Sequence, residues 1–135
     1  VMTQGRGVGV LTAGNHGSTY SGSPLGSRVV YTVIDTIQKE NLVDNASQMG
    51  AYIVEQFRTQ LADQNVIVRG FGLMIGIELP KACGDLVNVA RDDYHLIINV
   101  TAGSVIRLLP VLNINKEQAD QLVTRIVKMV KNFLA

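Results

Sequence analysis

The sequence predicts an α/β chain, an α+β layer in which helices cover a sheet, and three observations lead there. Apolar residues recur at helical spacing near residues 25–37, 42–61 and 119–133. Between these stretches lie short runs of Val, Ile and Leu bounded by Gly, Pro or Asn, the composition of strands. After a leading helix the order is helix–strand–strand–helix–strand–strand–helix.

The bulk properties set limits. A chain of 135 residues, 47% hydrophobic and 17% charged, has the length of one domain and buries a core. Its net charge of +1 gives no electrostatic case for nucleic acid or an anionic membrane. No apolar run approaches the roughly 18 residues of a membrane span. A lone Cys83 forms no internal disulfide and suits a reducing cytoplasm. With only His16 and His95 beside it, no metal site is expected.

The N-terminal region is rich in glycine: seven of the thirteen glycines fall within the first 26 residues. Gly5-Arg-Gly-Val-Gly9 lacks the preceding strand and following helix of a dinucleotide fingerprint and is read as a surface loop. Residues 1–22 carry little apolar surface and are expected to be mobile in the isolated chain. Val1-Met2-Thr3 looks like the end of a strand already under way, so the chain is read as a fragment.

Residues 14–26, Gly-Asn-His-Gly-Ser-Thr-Tyr-Ser-Gly-Ser-Pro-Leu-Gly, hold four glycines and five hydroxyl-bearing residues. Hydroxyls and free backbone N–H groups at this density make a seat for an anion, phosphate especially. An ordinary connection rich in small residues is the other reading. Ser23-Pro24 then reads as an N-cap and a first-turn proline.

In the helix that follows, Leu25, Val29, Val30, Val33, Ile34 and Ile37 share one face. Lys39-Glu-Asn41 breaks or bends it. Leu42, Ala46, Met49, Ile53, Phe57 and Leu61 form a second stripe. Both stripes are read as core, with a sheet beneath the second. Val66–Arg69 is predicted as a strand, Gly70-Phe-Gly72 as a bulge or tight turn, and Leu73–Leu79 as a strand ended by Pro80. Asp85–Tyr94 is a weaker helix, and Leu96–Val100 and Val105–Leu109 are strands around the turn Thr101-Ala-Gly103. Asn115 and Gln118 write a capping box at the head of the last helix. Its apolar face is Ala119, Leu122, Val123, Ile126, Val130 and Phe133.

Arg107 lies between Ile106 and Leu108. A desolvated guanidinium needs an anion, and two are open: a structural Asp or Glu, or a ligand carboxylate that suits its planar fork.

Three stretches together resemble the class III (subgroup II, fold type I) pyridoxal-phosphate aminotransferases. His16-Gly-Ser-Thr-Tyr-Ser-Gly-Ser-Pro-Leu25 is similar to their phosphate-contact motif, differing from the acetylornithine branch by small residues at Ser21, Ser23 and Gly26. Val68-Arg-Gly-Phe-Gly-Leu-Met-Ile-Gly-Ile-Glu78 resembles their hairpin, in which Arg69 and Glu78 are read as structural. Asn99-Val-Thr-Ala-Gly-Ser-Val-Ile-Arg-Leu-Leu-Pro110 resembles the strand whose arginine binds the substrate carboxylate, and the match runs on through Asn113-Ile114.

The resemblance, strongest to the acetylornithine/succinyldiaminopimelate branch, implies the C-terminal portion of such an enzyme. Residues 1–24 would be the tail of the large cofactor domain, with the phosphate-contact loop at 14–24. Residues 25–135 would be a bridging helix, to about residue 40, and the small domain, an antiparallel sheet covered by helices. Ser18 and Thr19 would hold the pyridoxal 5'-phosphate of the neighbouring subunit in a homodimer, and Arg107 the carboxylate of an amine or 2-oxo acid. The amine would be acetylornithine, succinyldiaminopimelate, ornithine or 4-aminobutyrate, the oxo acid 2-oxoglutarate, in the cytoplasm. No catalytic residue is assigned here, because the family's covalent lysine falls upstream; Lys39, Lys81, Lys116, Lys128 and Lys131 match none. His16 is read as a loop residue rather than a base. The chain alone is expected to be inactive. A stand-alone, non-enzymatic α+β ligand-binding or regulatory domain is the other class the element order permits.

Overall fold

A computed structural model describes residues 5–10, 14, 17–19 and 22–135. The readings of His16, Tyr20 and Ser21, and much of the expectation for residues 1–22, lie outside the described residues. The chain divides into two compact units, residues 1–37 and 38–135.

In the first unit, Gly5–Gly7 forms one 3₁₀ turn and helix α1 begins at Pro24, running to Lys39. The Ser23 hydroxyl accepts from the Gly26 N–H at 3.1 Å, the N-cap geometry its sequence spells. No residue of α1 is buried. Leu25, Val29, Val30, Val33 and Ile34 are all at least half exposed, which corrects the reading of this stripe as core. Its amphipathic pattern is real, but among the described residues this face stays exposed.

The second unit builds a four-stranded, wholly antiparallel sheet in the order β1-β2-β4-β3. Helix α2 (Leu42–Gln60) starts behind Asn41, whose positive φ of 51° turns the chain out of α1. Strands β1 (Ile67–Phe71) and β2 (Met74–Glu78) form a hairpin with Phe71 opposite Met74. Gly70 therefore belongs to β1, not to the turn. The turn is Gly72-Leu73, and Gly72 at φ 52° supplies the glycine-first geometry of a tight hairpin.

Helix α3 (Leu86–Tyr94) ends in His95 at φ 52°, and the Leu96 N–H returns to the Ala90 carbonyl at 2.8 Å. That closing turn is why the predicted strand at Leu96 begins only at Asn99: β3 is Asn99–Thr101, and Ile97 is fully exposed. Strand β4 (Val105–Leu108) returns antiparallel to both β3 and β2. Helix α4 (Lys116–Leu134) opens on the predicted capping box, with Asn115 and Gln118 bonding reciprocally at 2.9 and 3.1 Å.

One sheet face carries the core. Ile53 and Phe57 from α2, Leu61 at its C-cap, and Val123, Ile126 and Val130 from α4 close over Ile75, Ile77, Ile106 and Leu108. Each such side chain contributes about 1.5–3 kcal/mol of burial. A Cβ at Gly50 of α2 would fall 2.1 Å from the Gly72 carbonyl oxygen, so the helix lies directly on the hairpin turn. The opposite sheet face is largely exposed at the β1–β2 hairpin, where Ile67, Phe71 and Met74 are more than half exposed, while Val105 of β4 is buried on it.

Candidate functional site

The alternation of strand residues places the charged groups on that opposite face. Ile106 and Leu108 point into the core, so Arg107 between them points away and is exposed. This corrects the premise that apolar neighbours desolvate it. Flanking residues in a strand describe the other face of the sheet, not the same one.

Arg107 stands opposite Gly76 on β2 and Asn99 on β3, and Gly76 stands opposite Arg69 on β1. A single cross-strand row thus reads Arg69, Gly76, Arg107, Asn99. No hydrogen bond or ion pair reaches Arg107 from any described residue, so the structural Asp or Glu partner is absent among them. Arg69 differs. It is paired with Glu78, Nη1 to Oε2 at 2.6 Å.

Gly17, Ser18 and Thr19 are exposed in the loop ahead of α1. Neither hydroxyl has a hydrogen-bond partner among the described residues. Hydroxyl and backbone N–H donors at adjacent positions are the groups a phosphate needs, and to that extent these residues fit one. Ser18 and Thr19 lie in the first unit and Arg107 in the second.

None of the described lysines has the surroundings of a covalent nucleophile, which is activated by desolvation. Lys116 bonds Asp120 at 2.9 Å and Tyr52 at 3.2 Å, and the Asp120 carboxylate pushes its pKa up. Lys131 reaches Asp63 at 3.4 Å, and the Lys81 ammonium sits 4.5 Å from the Phe133 ring centre. Lys39 ends α1, and Lys128 is exposed on α4. Burial pushes the Cys83 thiol up, as for an inert core cysteine. Among the described residues no group of His, Cys, Asp and Glu is placed to hold a metal. No described helix is long and apolar enough to cross a membrane.

Sequence reasoning missed the row itself. Its signal was available in the hairpin register: once the Gly72 turn is fixed, Arg69 must face Gly76.

Solved structures of pyridoxal-phosphate-dependent aminotransferases superpose on this antiparallel sheet covered by helices on one face. Ornithine delta-aminotransferase of Plasmodium falciparum does so with a TM-score of 0.77 and 37% identity, over 92% of this chain and 33% of that one. Acetylornithine aminotransferase from Elizabethkingia anophelis gives 0.78 and 29%, over 91% and 34%. The sequence profile of the class-III aminotransferases matches residues 2–130, and the chain belongs to that family. In sequence it is 43% identical to the acetylornithine aminotransferase of Nitrosomonas europaea over an alignment of 135 positions that covers 98% of this chain and 34% of that protein. The chain spans about a third of the length of the curated relatives it matches. Class-III aminotransferases work with pyridoxal 5'-phosphate.

Proposed function

We propose that this chain is the C-terminal portion of an aminotransferase that moves an amino group from acetylornithine, or a related ω-amine, to 2-oxoglutarate. The observation that carries the reading is Arg107, an exposed guanidinium with no partner among the described residues of a class-III chain. Residues 1–24 are the tail of the large domain, residues 25–40 bridge, and the remainder to residue 135 is the small domain. The enzyme is a cytoplasmic homodimer.

Each residue then has a task. Arg107 receives the substrate carboxylate through two parallel N–H donors and fixes which end of the amine faces the cofactor. Ser18 and Thr19 donate hydrogen bonds to the cofactor phosphate across the dimer interface. Pyridoxal phosphate, when bound, supplies the electron sink that makes the substrate Cα–H acidic. The proton is moved by a lysine outside this chain, consistent with the surroundings of the five lysines within it.

Assay of the full-length protein against acetylornithine, succinyldiaminopimelate, ornithine and 4-aminobutyrate tests the substrate. Arg107→Ala tests the site. Loss of one charge-assisted contact lowers kcat/KM for the carboxylated amine at least ~10-fold, with cofactor affinity little changed. Wild-type kinetics in that variant would remove Arg107 from the site.

A further inference from the structure

Three glycines stand in the β1–β2 hairpin, and the fold explains two of them. A Cβ at Gly70 would fall 2.7 Å from Val54 Cγ2 of α2, and Gly72 takes the positive φ of the turn. Gly76 has neither reason. It lies in the middle of β2, and its φ is not positive. A Cβ built on it would meet Val105 Cγ1 at 3.5 Å, Arg69 Cγ at 3.7 Å and Arg69 Nε at 3.8 Å, all ordinary contact distances. Alanine therefore fits position 76. It would also strengthen the strand, because glycine costs more ordering entropy and packs no side chain.

A strand glycine that no bulge and no tight internal contact demands marks a place where another group approaches the backbone. The register says which kind of group. Ile75 and Ile77 are buried in the core, so Gly76 between them faces the other way. On that side Arg107 of β4 stands directly opposite it, with Arg69 of β1 opposite on its other flank. Directly opposed residues hold their Cβ atoms about 4.5–5.5 Å apart, so a methyl at position 76 would stand beside the root of the Arg107 side chain. Val105 and the stem of Arg69 border the bare backbone, and the Arg69 charge is met by Glu78 at 2.6 Å. Arg107 supplies the charge that selects what comes there, and its planar fork suits a carboxylate.

We propose that Gly76 is a specificity-determining residue: its missing side chain leaves room for the substrate carboxylate, and the carbon that bears it, to settle against the sheet beside Arg107. The inference rests on the reading of Arg107 given above. Gly76 takes no part in the chemical step. It sets how closely a carboxylated amine or oxo acid comes down on the strand, and so separates these from amines that carry no carboxylate.

The test uses the full-length enzyme loaded with cofactor and two probes. Glutarate is a dicarboxylate with no amine, and N-acetylputrescine is acetylornithine without its carboxylate. Gly76→Ala should raise the glutarate Kd measured by calorimetry, and the KM for acetylornithine, about tenfold, the discrimination that one added carbon commands in a binding pocket. The KM for acetylputrescine and the cofactor affinity should hold, and Tm should hold or rise. Gly76→Ser should give the same pattern, and it serves if the alanine variant fails to fold. A lowered Tm, or an equal loss with both amines, means that the glycine serves packing and overturns the proposal. So does an unchanged glutarate Kd in a protein whose Arg107→Ala variant binds glutarate more weakly. If Arg107→Ala also leaves that Kd unchanged, the carboxylate reading of Arg107 has failed, and this inference with it.

Discussion

The Tyr52 hydroxyl on α2 donates to the Asp120 carboxylate on α4, and the Lys116 ammonium, 4.9 Å from the Tyr52 ring centre, closes the group by bonding the same carboxylate. The two helices that cover the sheet are thus tied at their outer edge as well as through the core. These bonds hold the Asp120 carboxyl below its ordinary range, Tyr52 first and Lys116 second. A carboxylate with a lowered native pKa stabilises the fold fully above its unfolded value of about 3.9, and the contribution disappears as pH falls through the native value. Tyr52→Phe should therefore lower Tm at pH 7, and the gap to wild type should close below about pH 4. Thermal melts across that range check it; a gap constant with pH would assign the loss to packing instead.

A second prediction concerns the helix–hairpin contact. Gly50 approaches the Gly72 carbonyl so closely that any Cβ must push backbone against backbone. Gly50→Ala should cost about 1–3 kcal/mol despite alanine's better helix propensity. Gly84→Ala meets nothing within 4 Å and should stay within about 0.5 kcal/mol of wild type. Urea unfolding of the two variants separates close approach from a general intolerance of substitution.

Local signals in the sequence were easy to read, and relations between faces were not. Ser23-Pro24 and Asn115–Gln118 satisfy backbone donors a few residues away, so both helix starts follow from composition alone. The β3 start went wrong because Leu96-Ile97-Ile98 has strand composition while His95 and the Leu96 N–H still serve the end of α3. The α1 stripe has the periodicity of a core helix; periodicity fixes which face is apolar, not what covers it. Arg107 was identified, but its apolar neighbours suggested burial where strand alternation exposes it. Arg69 was legible as a structural residue, whereas its diagonal relation to Glu78 needed the register.

A third prediction uses the lysines. In the isolated chain Lys116 and Lys131 are paired with carboxylates and the Lys81 ammonium sits over an aromatic ring, and for Lys116 the Asp120 carboxylate also raises the pKa, which lowers the fraction able to react. Incubation with pyridoxal phosphate, borohydride reduction and peptide mapping should give scattered, substoichiometric labelling without amine turnover. A single saturable lysine adduct would contradict the assignment of the covalent lysine to a region outside this chain.

The last prediction tests the loop ahead of α1 and its placement between subunits. If Ser18 and Thr19 serve the neighbour's phosphate, Thr19→Ala in the full-length dimer should weaken pyridoxal-phosphate binding about ten- to a hundredfold, the cost of one hydrogen bond to a charged group. Such a defect has a direction across the interface. A Thr19→Ala subunit retains its covalent lysine, and a subunit whose lysine is replaced retains its loop. Paired in a heterodimer, the intact loop of one faces the intact lysine of the other, and one complete site results. Each homodimer of the two variants has none. The heterodimer should thus bind cofactor at one site with near-normal affinity and regain close to half of wild-type activity. If it shows only the average of its two parents, the loop serves the subunit that carries it.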